Sequence, residues 1–249
     1  MSRARERLLP LLASPPPPGG DAPWLDLVEG RPGSRGRVQD MWESGGGAGA
    51  YDLLLAGGDR FAPWAPRMLG GALVHDFFDV AGRLALSPGE TVLDLACGPG
   101  TLTRHLSDAV GDDGLVIAAD LSEPMLARAT RAVPADNTVF VRADAMSLPL
   151  RDATVDAISC SLLLHLVPDL DTALDQITRV LRPGGRLAVA VPGHGRGPGR
   201  LFTEALARAG QVRLFRRGEL SDALVRHGLA GVRERHGSVM QIVDALAPY

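Results

Sequence analysis

The sequence predicts an α/β fold built on a doubly wound parallel sheet, and three observations lead to this class. Short runs rich in β-branched and other apolar residues recur along the chain, as in strands that are buried on both faces. Amphipathic helical segments alternate with these runs through short connections, which is typical of parallel sheets. With 249 residues, of which 45% are hydrophobic and 22% charged, the chain also has the profile of a globular protein with one large domain.

The prediction is anchored by residues 91–101. A buried strand leads to Asp94, a turn follows at Gly98 and Gly100, and a helix then begins, with apolar residues at helical spacing. The glycines permit a sharp turn and close approach of the backbone to a ligand. A strand, a glycine turn and a helix N-terminus together form a cofactor cradle at the carboxyl end of a parallel sheet.

The other elements follow in order. Apolar runs predict four further strands, at 115–119, 138–141, 155–161 and 186–191, and a closing pair at 231–236 and 238–245. Helices are expected after Ser122, which can cap one, and at 171–181, 201–209 and 220–227. Residues 182–185 are expected to form a turn, and 193–199 a mobile glycine-rich loop.

We divide the chain into three parts. Residues 1–40 form an irregular N-terminal extension, because the proline run at 14–20 excludes helix and central strand. The extension either docks on the main domain through its apolar patch at 24–28, a candidate short strand, or is partly disordered. Residues 41–86 carry an apolar stripe near a period of 3.6 and form a helical cap over the active site. Residues 87–249 form the core.

Composition limits the function. A net charge of −3 argues against a protein that binds nucleic acid by neutralising phosphates, so we expect no nucleic-acid partner. Neither of the two cysteines lies in a C-x-x-C pair, which predicts no metal site and no disulfide, and a cytoplasmic location. No apolar run approaches the ~20 residues of a membrane span, so no membrane association is expected. A homodimer remains open.

Acidic residues end three successive predicted strands. Asp94 would repel a pyrophosphate and attract a cationic group, and the third position of a dinucleotide fingerprint is Thr103 rather than glycine. Asp120 is placed to accept hydrogen bonds from a ribose diol, and Asp144 from an exocyclic amine. The pattern favours a cationic adenosyl cofactor.

Five stretches, in order, resemble the motifs of class I S-adenosylmethionine-dependent methyltransferases, of the type 11 and quinone C-methyltransferase kind. They are the glycine turn at 92–101, the ribose stretch at 119–126, the adenine stretch at 142–145, the fourth-strand motif at 156–161 with His165, and the turn at 181–185. The resemblance is close over about 85–192 and loose in the C-terminal strand pair. It implies a Rossmann-like, seven-stranded sheet whose last strand is antiparallel.

The resemblance also implies a site. It places the methionine part of S-adenosyl-L-methionine beside Asp94 and the turn, and its amine near Ser161. The ribose would lie on Asp120, and the adenine between Leu121 and Met125. The implied cofactor-binding residues are Tyr51, Asp94, Ala96, Gly98, Gly100, Thr101, Asp120, Leu121, Met125, Asp144, Ala145 and Ser161. Met125 can equally be plain core, and Asp94 can cap a helix.

The region before residue 85 is less similar to this family. Tyr51, with Trp64 after it, looks like the helix that precedes the core in quinone-type C-methyltransferases, where the tyrosine helps to cover the cofactor. The usual asparagine and basic residues around the tryptophan are missing, which argues against a quinone substrate, and both aromatics can be ordinary packing residues. Residues 1–40 faintly resemble a zinc ribbon that has lost every cysteine, so we expect no zinc.

The catalytic candidate is His165, which follows the fourth strand near the expected methyl acceptor and could abstract its proton. Histidine is also frequent there in related enzymes regardless of substrate. His75 and His194, together with Trp64, are candidates for contact with the substrate, since His194 lies on a loop that could close.

The leading hypothesis is methyl transfer to a small-molecule acceptor, an intermediate of secondary metabolism. Two alternatives remain at this stage: a cyclase or isomerase that binds S-adenosylmethionine without transferring its methyl group, and an RNA methyltransferase. A non-catalytic binding partner of another enzyme is disfavoured, because acids and glycines are present at all the cofactor positions.

Overall fold

The computed structural model describes residues 2–17, 22–28, 79–194, 204, 207, 213–237 and 240–249. In these residues one sheet of eight strands forms the centre of the protein, in the order β1-β4-β3-β2-β5-β6-β8-β7. The strands are β1 (Leu25–Asp26), β2 (Thr91–Leu95), β3 (Leu115–Asp120), β4 (Thr138–Arg142), β5 (Val155–Ser161), β6 (Leu181–Pro192), β7 (Ala230–His236) and β8 (Met240–Leu246). The α-helices with defined bounds are α1 (Arg3–Leu8), α2 (Thr101–Val110), α3 (Glu123–Ala132), α4 (Leu170–Val180) and α5 (Glu219–Arg226).

The topology confirms the expected sheet. Strands β1 to β6 pair in parallel, and β8 runs antiparallel between β6 and β7. The seven strands expected from the sequence are all present, and the N-terminal extension supplies the eighth, β1. The chain proceeds from β2 outward to β4 and then returns to β5 on the other side of β2. This reversal opens a crevice at the carboxyl ends of β2 and β5, where ligands of doubly wound sheets bind.

Helices cover both faces of the sheet because successive residues of its central strands are apolar and point to opposite faces. On β2, Val92 belongs to the buried cluster that includes residues of α2 and of the helical segment 79–83, whereas Leu93 belongs to the cluster that includes residues of α1, α4 and α5. Both side chains are fully buried. In the described part of the chain, no helix is both long and apolar enough to cross a membrane.

Residues 2–17 and 22–28, which we call the N-terminal strap, lie across the edge of the sheet. The side chains of Ala4 and Leu8 on α1 are fully buried in the core. The backbone N–H of Arg151 donates to the carbonyl of Leu11 over 2.9 Å, and β1 adds in parallel to β4, the outer strand of the core. Since an unpaired edge strand invites association with other chains, the strap protects this edge.

Three local features differ from the sequence analysis. The extension, expected to be irregular, begins with helix α1, because Ser2 caps it and Ala4 and Leu8 are buried. Residues 182–185, expected as a turn, form a wide bulge within β6, because Val155 pairs with Leu181 and Ala157 already with Arg186. Helix α4 begins at Leu170 because Asp169 caps it and accepts hydrogen bonds from two backbone N–H groups of the first turn. Glu204 and Ala207 are helical, within the helix expected at 201–209.

Candidate cofactor-binding site

The glycine turn joins β2 to α2 through three residues in the left-handed region: Ala96 at φ 61°, Gly98 at φ 55° and Gly100 at φ 86°. The backbone N–H of Cys97 donates to the carbonyl of Ala119 over 3.0 Å, which fastens the turn to the end of β3. Ala96 is strained there, since only glycine adopts such φ values freely. The turn is therefore held in one conformation by its neighbours.

Gly100 has a packing reason to be glycine, in addition to the role that the sequence analysis proposed. A Cβ atom there would lie 3.0 Å from Val133 Cγ2 and 3.3 Å from Ala129 Cα. The close approach is thus to the end of α3, and it lets α2 begin directly against that helix. The cofactor-binding roles expected of Gly98 and Gly100 stay predictions.

Asp94 is buried beneath this turn, with an exposed fraction of 2%. Its Oδ2 atom accepts a hydrogen bond from Thr103 Oγ1 over 2.6 Å. Burial raises the pKa of Asp94 to about 6; the hydrogen bond from the hydroxyl of Thr103 opposes the rise, and Asp120 adds to it. A carboxylate held at this cost is a frequent mark of a functional site.

Asp120, at the end of β3, accepts hydrogen bonds from two segments of the site. Its Oδ2 accepts from the backbone N–H of Gly98 and its Oδ1 from that of Ser122, each over 2.8 Å. Burial raises the pKa of Asp120, and the hydrogen bonds from these backbone groups and Leu121 oppose the rise. Since each carboxylate oxygen has two lone pairs, both retain capacity to accept from a ligand diol.

The adenine candidates lie at the ends of β3 and β4. Asp144 is half-buried, and its Oδ1 accepts from the backbone N–H of Met146 over 2.9 Å. Ala145 is nearly buried, Leu121 is half-buried at the end of β3, and Met125 is buried on α3 with an exposed fraction of 2%. The carboxyl ends of β2, β3 and β4 thus bring Asp94, Asp120 and Asp144 to one edge of the sheet.

Ser161 and His165 lie at the end of β5. The hydroxyl of Ser161 and Nδ1 of His165 are both buried without a hydrogen-bond partner among the described residues. Burial lowers the pKa of His165 to about 4, so its imidazole is neutral at pH 7. A base of such low pKa accepts a proton weakly, which weighs against proton abstraction in the free protein.

The remaining predicted residues are less informative. Thr101 is half-buried in the first turn of α2, and His194 is exposed just beyond β6. Tyr51, Trp64 and His75 lie outside the described residues. The sequence analysis noted Thr103 only as a replacement for glycine. Its apolar neighbours Leu102 and Leu106 indicated that α2 has a buried face, but nothing local indicated that Thr103 would donate to Asp94.

Comparison with known proteins gives a family match for part of the chain. Residues 93–189 match the family described as "Methyltransferase domain". This segment is similar to methyltransferases of the class I, S-adenosylmethionine-dependent type, and S-adenosylmethionine is the cofactor of that class.

The chain is also similar in sequence to individual methyltransferases. The chain is 45% identical over 105 residues to the ubiquinone/menaquinone biosynthesis C-methyltransferase UbiE of Escherichia coli O1:K1 / APEC, in a match that covers 41% of this chain and 42% of the relative. The chain thus spans about two fifths of the curated relatives it matches.

Solved structures agree in fold. An S-adenosylmethionine-dependent methyltransferase from Aquifex aeolicus is 25% identical, with a TM-score of 0.58 over 76% of this chain and 100% of that one. A Haloferax volcanii complex of the Trm112 methyltransferase activator with a methyltransferase matches 85% of this chain and 98% of its own, with a TM-score of 0.62 and 18% identity.

Proposed function

We propose that the protein transfers the methyl group of S-adenosylmethionine to a small-molecule acceptor. The observation that carries the proposal is the arrangement around Asp120. Its carboxylate holds the glycine turn and the start of α3 together at the switch point of the sheet, and it keeps lone pairs for a diol.

The residues of the site fit this cofactor. In our proposal Asp120 binds the ribose hydroxyls, Leu121 and Met125 flank the adenine, and Asp144 with the Ala145 amide binds its edge. Asp94, beneath the turn, contributes negative charge toward a sulfonium and ammonium group. The unpartnered hydroxyl of Ser161 then finds its partner in the methionine amine.

The chemistry asks little of the protein beyond orientation. The cofactor carries an activated methyl group, and transfer is an in-line displacement in which the carbon–sulfur bond breaks as the bond to the acceptor forms. The chain holds donor and acceptor in line and excludes water. An acceptor that must lose a proton passes it to a base or to solvent. His165, neutral at pH 7, is the candidate base at the end of β5.

Two observations support a small-molecule acceptor. The net charge of −3 disfavours RNA, and the segment of highest similarity is shared with an enzyme of ubiquinone and menaquinone biosynthesis. We therefore propose an intermediate of small-molecule biosynthesis as the substrate. The two described cysteines are buried and unbridged, which supports a reducing, cytoplasmic setting.

The test is calorimetric titration of S-adenosylmethionine into the wild type, Asp120→Asn and Asp120→Ala. We expect Asp120→Ala to weaken binding by at least roughly tenfold, which corresponds to about 1.4 kcal/mol. Asp108→Asn, on the exposed side of α2, is the matched control and should bind as the wild type does. Equal affinity of all four proteins for S-adenosylmethionine would contradict the proposed cofactor. Transfer of isotope-labelled methyl to product separates a methyltransferase from a cyclase that only binds the cofactor.

A further inference from the structure

The carboxyl edge of the sheet holds buried polar atoms that the cofactor roles above do not use. Gln241, the second residue of β8, has no exposed surface, and neither Oε1 nor Nε2 of its amide has a hydrogen-bond partner among the described residues. A buried amide without partners costs folding free energy, because it loses its bonds to water and gains none. Side chains kept at such a cost are expected where a ligand completes them.

The position of Gln241 is that of an acceptor contact. Strand β8 runs antiparallel to β6, so its first residues lie at the carboxyl edge, and Gln241 pairs with Val191 near the end of β6. Ser161 pairs with Ala190, and Ala190 with Ile242, so β5 and β8 are two strand spacings or about 10 Å apart. That span suits a small acceptor with its reacting atom near the end of β5.

Gln241 and the glycine turn lie on different sides of the sheet. Gln241 shares the face of Val191 and Val243, which is covered by α4 and α5, whereas α2 and the glycine turn lie toward the opposite face. A molecule held by Gln241 therefore does not compete with the proposed donor for the glycine turn.

The charges around Gln241 select the chemistry of the ligand. Its register neighbour on β7, His236, contacts the carboxylate of Glu234 through Nε2, so the polar atoms of these two side chains are already engaged with each other. Ser161 is uncharged, and His165 is neutral at pH 7. A phosphate or an ammonium group on the acceptor would find no described partner of opposite charge here, whereas a carboxamide offers one acceptor and two donors.

We propose that Gln241 is a specificity-determining residue of the acceptor site, and that the acceptor is a neutral molecule with a hydrogen-bond acceptor beside a donor, as in an amide or a hydroxyl next to a carbonyl. This proposal rests on the proposed methyl transfer. It concerns the acceptor alone, and its tests are separable from cofactor binding.

The first test needs no ligand. Because Gln241→Leu removes an unpaired buried amide, we expect it to raise Tm by roughly 2–6 °C. Gln176→Leu is the matched control, since Gln176 Oε1 accepts from the backbone N–H of Leu148 and from Arg179, and its loss should lower Tm. A fall in Tm for Gln241→Leu comparable to that of the control would show an amide with structural partners and overturn the proposal.

The second test uses 2-naphthamide, which has an acceptor beside a donor, and 2-acetylnaphthalene, which has the acceptor alone. Each is titrated into protein saturated with S-adenosylhomocysteine. We expect the wild type to bind 2-naphthamide at least tenfold more tightly than Gln241→Leu does, with a smaller difference for 2-acetylnaphthalene. Equal affinities in the two proteins, or no binding of 2-naphthamide by the wild type, overturn the acceptor class.

S-adenosylhomocysteine is titrated alone beforehand. Gln241→Leu should bind it as the wild type does. Failure of both proteins to bind it contradicts the proposed function, and the ligand-free Tm comparison still decides the role of Gln241.

Discussion

Replacing Asp94 by asparagine should stabilise the free protein at neutral pH. Burial raises the pKa of Asp94 to about 6 from an ordinary value of 3.8, so the ionised form is disfavoured in the folded protein. A difference of roughly two pKa units, at about 1.4 kcal/mol each, corresponds to about 3 kcal/mol. Because the side chain is almost fully buried, solvent screens little of this penalty.

The pH dependence has a definite sign. Between pH 3.8 and about 6 the unfolded chain has released this proton while the folded protein retains it. Stability from this group is therefore fully present below pH 3.8 and is lost as the pH rises through 6. Asparagine cannot ionise and can keep the hydrogen bond to Thr103, so the gain from Asp94→Asn should be about 3 kcal/mol at pH 7.5 and near zero at pH 4.

The assay is urea denaturation of wild type and Asp94→Asn at pH 4, 5.5 and 7.5. Asp113→Asn is the matched control, because the side chain of Asp113 is 86% exposed, and its unfolding should change little. A gain that is the same at all three pH values, or a loss of stability at pH 7.5, would refute the reasoning.

The same substitution has a functional counterpart. If the carboxylate attracts the sulfonium of the donor, Asp94→Asn should weaken S-adenosylmethionine more than S-adenosylhomocysteine, which lacks that charge, by roughly tenfold. Calorimetry of both compounds measures the difference, and equal losses would contradict the electrostatic role.

Three further predictions concern other parts of the molecule. The imidazole of His165, whose pKa burial lowers to about 4, should show no titration between pH 5.5 and 8 by NMR; a transition in that window would contradict its burial. Leu8→Ala should cost about 2–5 kcal/mol in urea denaturation because Leu8 is fully buried, and half-buried Leu11→Ala should cost less than half as much. Ala96→Gly should gain about 0.5 kcal/mol by relieving a φ of 61°, whereas Ala127→Gly, inside α3, should lose about 1 kcal/mol; a loss in both would exclude strain at the turn.

Much of the core could be predicted from the sequence because its signals are local. Runs of buried strand residues, the acids that end them and the Ser122 cap are each set within a few residues, and the seven core strands follow from them. The three acids at one edge follow from parallel pairing alone.

What could not be predicted depends on contacts between distant residues. Nothing near Gly100 in the sequence shows that Val133 lies against it, so the packing reason for this glycine could not be predicted. Gln241 lies in a strand whose residues are buried on both faces, and the sequence cannot tell whether its amide has partners. The bulge at 182–185 looked like a turn because a bulge with Gly184 at φ 74° uses the same residue types.

The N-terminal strap has a consequence for how the chain folds during translation. Arg151, which donates a side-chain hydrogen bond to the carbonyl of Leu12, is separated from it by 139 residues. At typical rates of translation, that interval lasts on the order of ten to thirty seconds. During it the strands that bury the apolar side of α1, with Leu8 at its centre, are still being made. The strap is therefore synthesised well before it can dock, and its apolar side is exposed on the nascent chain until these strands are complete.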